Sequence, residues 1–294
     1  MMSLPSTFSS GVASVATLLS AASLRIAQTL NLDNRIARLE ARVLGAHAWN
    51  VAPTWLIAHD RDPLTPQQYA DFESLLKKRL NGEPIAYITG WREFYGRPFR
   101  VTPDVLIPRP ETELLVDLVL AQIPSDQTVE ILELGTGSGC IAISLALARP
   151  HALITAVDNN AAAIVVAQHN AMELSATVNF LKSDWFSALP ERKFDVIVSN
   201  PPYVAMDDTH LLEGDVRFEP VGALSSGING LDDLHYIITH APSFLKPQGS
   251  LLLEHGYDQG RDTRILLQEE GYFAIHTWQD LSKMDRVSGG KLSE

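Results

Sequence analysis

The sequence predicts an α/β protein in which a helical N-terminal part precedes a mostly parallel, doubly wound sheet. Three observations carry that expectation. From residue 111 onward, short β-branched apolar runs alternate with segments of helical character, the order that builds a parallel sheet covered by helices on both faces. The first of these runs ends in "ELGTGSG", residues 133–139, a glycine turn of the kind that leads from a strand into a helix. Before residue 83 the apolar residues recur at helical intervals instead.

Taken in order, "GVASVATLLSAASL" (11–24) reads as an amphipathic helix. It is too short and too interrupted by Ser and Thr to span a bilayer. No basic residue precedes Arg25, as a secretory leader would require. In "LDNRIARLEARVLGAH" (32–47), Ile36, Leu39 and Val43 fall at helical spacing. "LTPQQYADFESLLKKRLNG" (64–82) predicts a helix capped by Thr65 with Pro66 in its first turn, stopped at Asn81-Gly82. These segments define an expected helical, substrate-recognising domain over 1–82. Residues 83–110, rich in Tyr, Ile, Val, Phe and Pro, predict a hairpin linker with a proline-stiffened exit.

The third region, 111–294, opens with a helix, "ETELLVDLVLAQI". It continues as strand "TVEILEL", helix "CIAISLALARP", strand "ALITAVDNN", helix "AAAIVVAQHNAMEL", then strands "VNFLKSDW" and "FDVIVSNPPY". A long polar insertion follows, then "SLLLEHG" and two further strand candidates, "YFAIHTW" and "RVSGGKL".

Composition narrows the function classes. The chain has 294 residues, 46% hydrophobic and 20% charged, ordinary for a globular protein of about two domains. Its single cysteine, Cys140, excludes an intrachain disulfide framework and fits a reducing, cytoplasmic setting. Nine histidines are scattered without paired spacing, so no metal is expected, and His255 beside Glu254 reads as structural. Net charge is −12, with residues 1–110 at +3 and 111–294 at −15. An acidic second half argues against stable nucleic-acid binding.

Strand ends carry the chemistry in such sheets, because ligands bind beyond the carboxyl edge. Gly135, Gly137 and Gly139, with Thr136 and Ser138 between them, allow a ligand close to the backbone. Glu133 before them would repel a pyrophosphate and suit a cationic ligand. Asp158 ends the next strand, where an acid can accept ribose hydroxyls; the plain alternative is a helix N-cap. Asp184 and Trp185 end the third, where the indole can stack on a base or serve only as core. Acids in series with no phosphate-binding lysine point to S-adenosylmethionine.

"FDVIVSNPPYV" (194–204) ends its strand at Asn200. Pro201 and Pro202 lack N–H groups and cannot continue a ladder. Asn200 Oδ1 and the Pro201 carbonyl are two acceptors able to hold the hydrogens of a planar amine or amide, with Tyr203 as an apolar wall. That arrangement positions a nitrogen for methyl transfer without a covalent intermediate. It serves an adenine amine and a glutamine amide equally.

The longer words resemble one family. "GEPIAYITGWREFYGRPFRVTPDVLIPRPETELLV", "LELGTGSGCIAISLA", "SDWFSAL", "VSNPPYV" and "GDVRFEPVGAL" together look like the peptide chain release factor glutamine N5-methyltransferases, the PrmC/HemK family. The likeness runs from about residue 60 to 290. It implies an N-terminal helical bundle, a β-hairpin linker and a Rossmann-like class I methyltransferase domain. The implied substrate is the glutamine of the Gly-Gly-Gln motif in class-1 release factors. The cofactor would lie on Glu133, residues 135–139, Asp158, Asp184, Trp185 and Asn200, and the glutamine on Asn200, Pro201, Pro202 and Tyr203. Two alternatives keep the chemistry: the same methylation on a large-subunit ribosomal protein, or DNA adenine N6-methylation. A third is a non-enzymatic module that binds the cofactor only as a stabiliser. Arg109 is expected to pair structurally with an acid, Phe94 and Tyr95 to wall the cleft or cover a domain junction, and "GDVRFEP" (214–220) to order near bound substrate.

Overall fold

A computed structural model describes residues 14–293, and the chain divides after Thr89 into two compact units. Among its described residues the first holds five helices: α1 (Val15–Leu30), α2 (Asn34–Ala48), α3 (Pro53–Ala58), α4 (Pro66–Leu80) and α5 (Ile85–Thr89). α1 buries Val15, Leu18, Ala22 and Ile26, a stripe at intervals of three and four. Thr65 and Gln68 form a reciprocal capping box at the start of α4, with Pro66 in its first turn. Arg79 is buried near its end and grips Glu40 of α2 through two hydrogen bonds, 2.8 and 3.0 Å.

α2 is helical, as the spacing of Ile36, Leu39 and Val43 predicts, whereas the expected hairpin region departs from its prediction. Ile36 and Leu39 are exposed, and α2 turns Ala37, Ala41 and Leu44 inward instead. Small residues win that face because the helices approach closely: a Cβ on Gly45 would sit 3.0 Å from Leu19 Cδ2. Residues 85–89, expected within the hairpin region, form α5, and the hairpin itself is confined to β1 (Trp91–Phe94) and β2 (Arg97–Arg100).

The second unit contains that hairpin and a seven-stranded sheet. Its parallel strands are β3 (Glu130–Leu134), β4 (Leu153–Asp158), β5 (Asn179–Lys182), β6 (Phe194–Ser199) and β7 (Leu245–Glu254). Two more, β8 (Tyr272–Gln279) and β9 (Asp285–Leu292), join antiparallel, giving the order β5-β4-β3-β6-β7-β9-β8. The helices are α6 (Glu113–Gln122), α7 (Cys140–Ala148), α8 (Ala161–Glu173), α9 (Asp232–His240) and α10 (Gly260–Glu269).

Alternation along the central strands divides the core. Ile131, Val196, Val198 and Leu252 join a cluster with α6, α7 and the hairpin's Phe94 and Phe99. Leu132, Leu134, Ile197, Leu251 and Leu253 join one with α9 and α10. A period of two therefore feeds both faces, which is why these strands read as continuous apolar runs. Chain order runs outward from β3 to β4 and β5, then returns to β6 on its other side. That reversal opens a crevice at the carboxyl ends of β3 and β6. Phe94 and Tyr95 do not wall the crevice: Phe94 is core, and Tyr95 donates to Asp117, which pushes its phenol up to about 12.

Candidate active site

A cavity of about 460 Å³ occupies the crevice, entirely within the second unit. The glycine turn forms one wall. Gly135, Gly137 and Gly139 all adopt positive φ, at 70°, 53° and 81°, a path that other residues resist. Gly135 and Gly137 line the cavity with Thr136 and Ser138. Gly139 does not; it precedes α7, and a Cβ there would meet Ile143 Cδ1 at 2.9 Å and Ala167 Cβ at 3.1 Å. Its glycine is explained by helix packing.

Glu133 is buried at the end of β3. Its Oε2 accepts from Thr136 Oγ1 at 2.6 Å and from the Ala142 N–H at 3.1 Å. Its Oε1 lines up with no donor among the described residues. Burial pushes the carboxyl up to about 8, against those two hydrogen bonds. An orphaned carboxylate oxygen beside a cavity suits a cationic group of a ligand.

Asp158 ends β4 and lines the same cavity. Its Oδ2 accepts from the Gly137 N–H at 2.9 Å and its Oδ1 from the Asn160 N–H at 2.8 Å. The N-cap of α8 is Asn160, whose side chain accepts from Ala162, so Asp158 is not spent on capping. Burial raises its carboxyl above the usual range.

Beyond β5, Asp184 and Trp185 also face the cavity. Trp185 holds φ at 45°, a left-handed conformation unusual for a bulky residue. Ser183 stabilises the bend: its Oγ donates to the Trp185 carbonyl at 2.7 Å and accepts from the Ala188 N–H at 3.0 Å. Asp233 lines the cavity beside Asp184 and Trp185, its carboxyl raised chiefly by burial.

Asn200 and Pro202 line the cavity at the end of β6, while Pro201 and Tyr203 lie outside its wall. Tyr203, expected as an apolar wall for the substrate, packs against the core instead, and its hydroxyl donates to Glu254 Oε1 at 3.4 Å. Burial and the Glu254 charge push its phenol well above the usual range. Asn200 Nδ2 donates to Thr112 Oγ1 at 3.2 Å.

The insertion after β6 folds back over this corner. The Tyr203 and Val204 N–H groups both donate to the Leu224 carbonyl, at 3.1 and 2.8 Å. Glu219, its side chain fully buried, pairs with Arg109 and accepts the Ile107 N–H at 3.0 Å. Arg109 thus has the structural partner expected of it. Pro220, Gly222 and Ala223 then reach the cavity. Pro220 falls in the 214–220 segment expected near substrate; sequence reading missed Gly222 and Ala223, whose only signal was the unusual length of the insertion, and Thr112 and Asp233, which lie outside it. Burial drives the His255 imidazole below its usual value, and its Nε2 bonds Ser288 Oγ at 2.8 Å, the structural role expected.

Two family models match the chain: the PrmC N-terminal domain over residues 18–90 and the methyltransferase small domain over 111–214. The release factor glutamine methyltransferase of Bordetella pertussis is 48% identical over 261 residues, covering 88% of this chain and 97% of that one. The chain belongs to the release factor glutamine methyltransferase family. The enzyme of the same name from Burkholderia pseudomallei is 47% identical over 86% of this chain and 92% of its own. A solved methyltransferase from Pyrococcus furiosus superposes with a TM-score of 0.54 at 17% identity, covering 76% of this chain and all of that one. That likeness establishes the class I methyltransferase fold. In this member of the release factor glutamine methyltransferases, the two matched models fall on either side of the β1–β2 hairpin in the sequence.

Proposed function

We infer that this protein transfers a methyl group from S-adenosylmethionine to the side-chain amide nitrogen of the glutamine in the Gly-Gly-Gln motif of class-1 release factors. The observation that carries the reading is identity of nearly half along almost the whole length of relatives named for that reaction. Asn200 and Pro202 on the cavity wall support it chemically.

S-adenosylmethionine supplies an electrophilic methyl group on a positively charged sulfur. The residues present fit such a ligand: the free Oε1 of Glu133 offers a partner for its amino group, and Asp158 and Trp185 offer a polar and a stacking surface. Asn200 Oδ1, on the cavity wall, accepts a hydrogen of the glutamine amide, which favours a pyramidal nitrogen with its lone pair available. The two prolines that follow fix the backbone beside it, so little reorganisation is needed on reaction. Pro220, Gly222 and Ala223 supply the neighbouring wall of the cavity. The domains assigned are a helical substrate-recognising part over 1–82, the linker 83–110 and the catalytic part 111–294, acting in the cytoplasm.

The test is transfer of tritiated methyl to a purified class-1 release factor. Label should appear on the wild-type factor and vanish when its Gly-Gly-Gln glutamine is replaced by alanine. Label on a large-subunit ribosomal protein but none on the release factor would move the assignment to the paralogous substrate.

A further inference from the structure

Asn200 presents an ambiguity that its own contact does not resolve. Its amide meets Thr112 Oγ1, and a hydroxyl can donate or accept. If Thr112 donated, Asn200 would turn its Nδ2, not its Oδ1, toward the cavity, and a donor there would oppose a substrate amide hydrogen. Something must therefore fix the direction of the hydroxyl hydrogen.

Glu254 stands where it can. β6 and β7 are parallel and paired with Ser199 opposite Leu253, so the residues that follow, Asn200 and Glu254, stand side by side at the carboxyl edge of the sheet. Glu254 is 1% exposed, and its Oε2 has no hydrogen-bond partner among the described residues. Its Oε1 accepts the Tyr203 hydroxyl at 3.4 Å, and the Thr112 hydroxyl stands close enough to favour its ionised form. It does not line the cavity, whereas Thr112 and Asn200 do.

We propose that Glu254 is a positioning residue for Asn200: by taking the hydroxyl hydrogen of Thr112, it leaves that oxygen as an acceptor for Asn200 Nδ2 and turns Asn200 Oδ1 to the substrate. The same carboxylate holds the Tyr203 hydroxyl, so one buried charge sets both ends of the Asn-Pro-Pro-Tyr turn. The inference rests on the glutamine-methylating function proposed above.

The arrangement needs Glu254 ionised. A protonated carboxyl donates to Thr112 Oγ1, competes with Asn200 Nδ2 and frees the hydroxyl to turn. Burial is the largest influence on Glu254 and pushes its carboxyl up to about 7. Thr112 and Arg286 act against that shift, Glu111 with it. The Cys140 thiol on α7 also feels the Glu254 charge but is itself held neutral by burial. Turnover is therefore present above about pH 7 and falls as pH drops through it.

Three variants test this with a purified release factor and S-adenosylmethionine at saturation. Thr112→Val removes the relay and should lower kcat at least tenfold, with cofactor Kd by calorimetry within about twofold of wild type. Thr112→Ser keeps the hydroxyl and should restore most of kcat. Glu254→Gln should flatten the acid limb of kcat near pH 7. In the same window the Asn200 side-chain amide NMR signal should shift in wild type and stay fixed in Glu254→Gln. The proposal is overturned if Thr112→Val keeps wild-type kcat, or if the acid limb and the Asn200 shift persist in Glu254→Gln. Should Glu254→Gln fail to fold, the Thr112 pair decides alone. Failure of wild type to methylate the release factor would instead strike the function, not this relay.

Discussion

Asp158 Oδ2 accepts the Gly137 N–H at 2.9 Å, so the acid ending β4 holds the glycine turn that follows β3. Two strand ends that the sequence presents separately are thus one structural device. Asp158→Ala removes the acceptor for both the Gly137 and Asn160 N–H groups. Hydrogen bonds to a charged acceptor contribute about 1.5–3 kcal/mol each, so cofactor affinity should fall about tenfold to hundredfold. Calorimetric titration of S-adenosylmethionine measures it; Asp158→Asn, which keeps one acceptor, should lose less.

Glu133 predicts a pH dependence of cofactor binding. In the free protein burial holds its carboxyl up at about 8. A cationic partner at Oε1 would favour the ionised form, so binding releases a proton. Affinity should then rise as pH climbs from 6 to 8, by up to about tenfold per unit. Glu133→Gln should remove that slope. The stability of the cofactor-free protein runs the other way. Its folded state holds the proton more tightly than the unfolded chain, so stability falls between the ordinary glutamate range and about pH 8. Urea titrations across that interval should show the decline in wild type and a shallower one in Glu133→Gln.

Glu219 ties the insertion down by pairing with Arg109 and accepting the Ile107 N–H. Ile107 is buried, so Glu219→Ala strands its N–H without a partner, while Arg109, about a third exposed, regains water. The expected loss is about 2 kcal/mol by chemical denaturation, most of it from the orphaned N–H. Because 220–223 border the cavity, KM for the release factor should rise more than cofactor Kd.

Gly139→Ala and Gly137→Ala separate packing from ligand access. At Gly139, φ is 81° and the new Cβ meets Ile143 at 2.9 Å, so the substitution should cost about 2 kcal/mol or more. At Gly137, φ is 53° but nothing lies within 4 Å of the new Cβ. There the expected cost is about 1 kcal/mol, from backbone strain alone. Equal losses in thermal unfolding would contradict this distinction.

Much of this molecule was legible from residue order alone. The central strands β3, β4, β6 and β7 announced themselves as apolar runs, since parallel strands covered on both faces need no polar alternation. Glu133, Asp158, Trp185 and Asn200 were found because each follows such a run, where the crevice must open. Thr112 and Asp233 were not, because they reach the cavity from helix starts whose approach depends on tertiary packing. Nor was the inward face of α2, where alanines at 37 and 41 prevailed over the larger Ile36 and Leu39. Hydrophobicity ranks side chains by transfer from water; close helix contact ranks them by size. The fold of the insertion was likewise hidden, since its Glu219 anchor pairs with a residue 110 positions away.

Cys140 borders the cavity at the first turn of α7, yet it is 8% exposed, and burial drives its thiol well above the ordinary range. A thiol so protonated is a poor nucleophile toward alkylating reagents. With no second cysteine in the chain, any reaction with such a reagent reports on this one place. The protein thus carries a built-in chemical clock: its rate of labelling counts how often the floor of the methyl-transfer chamber opens, and a bound ligand should slow it.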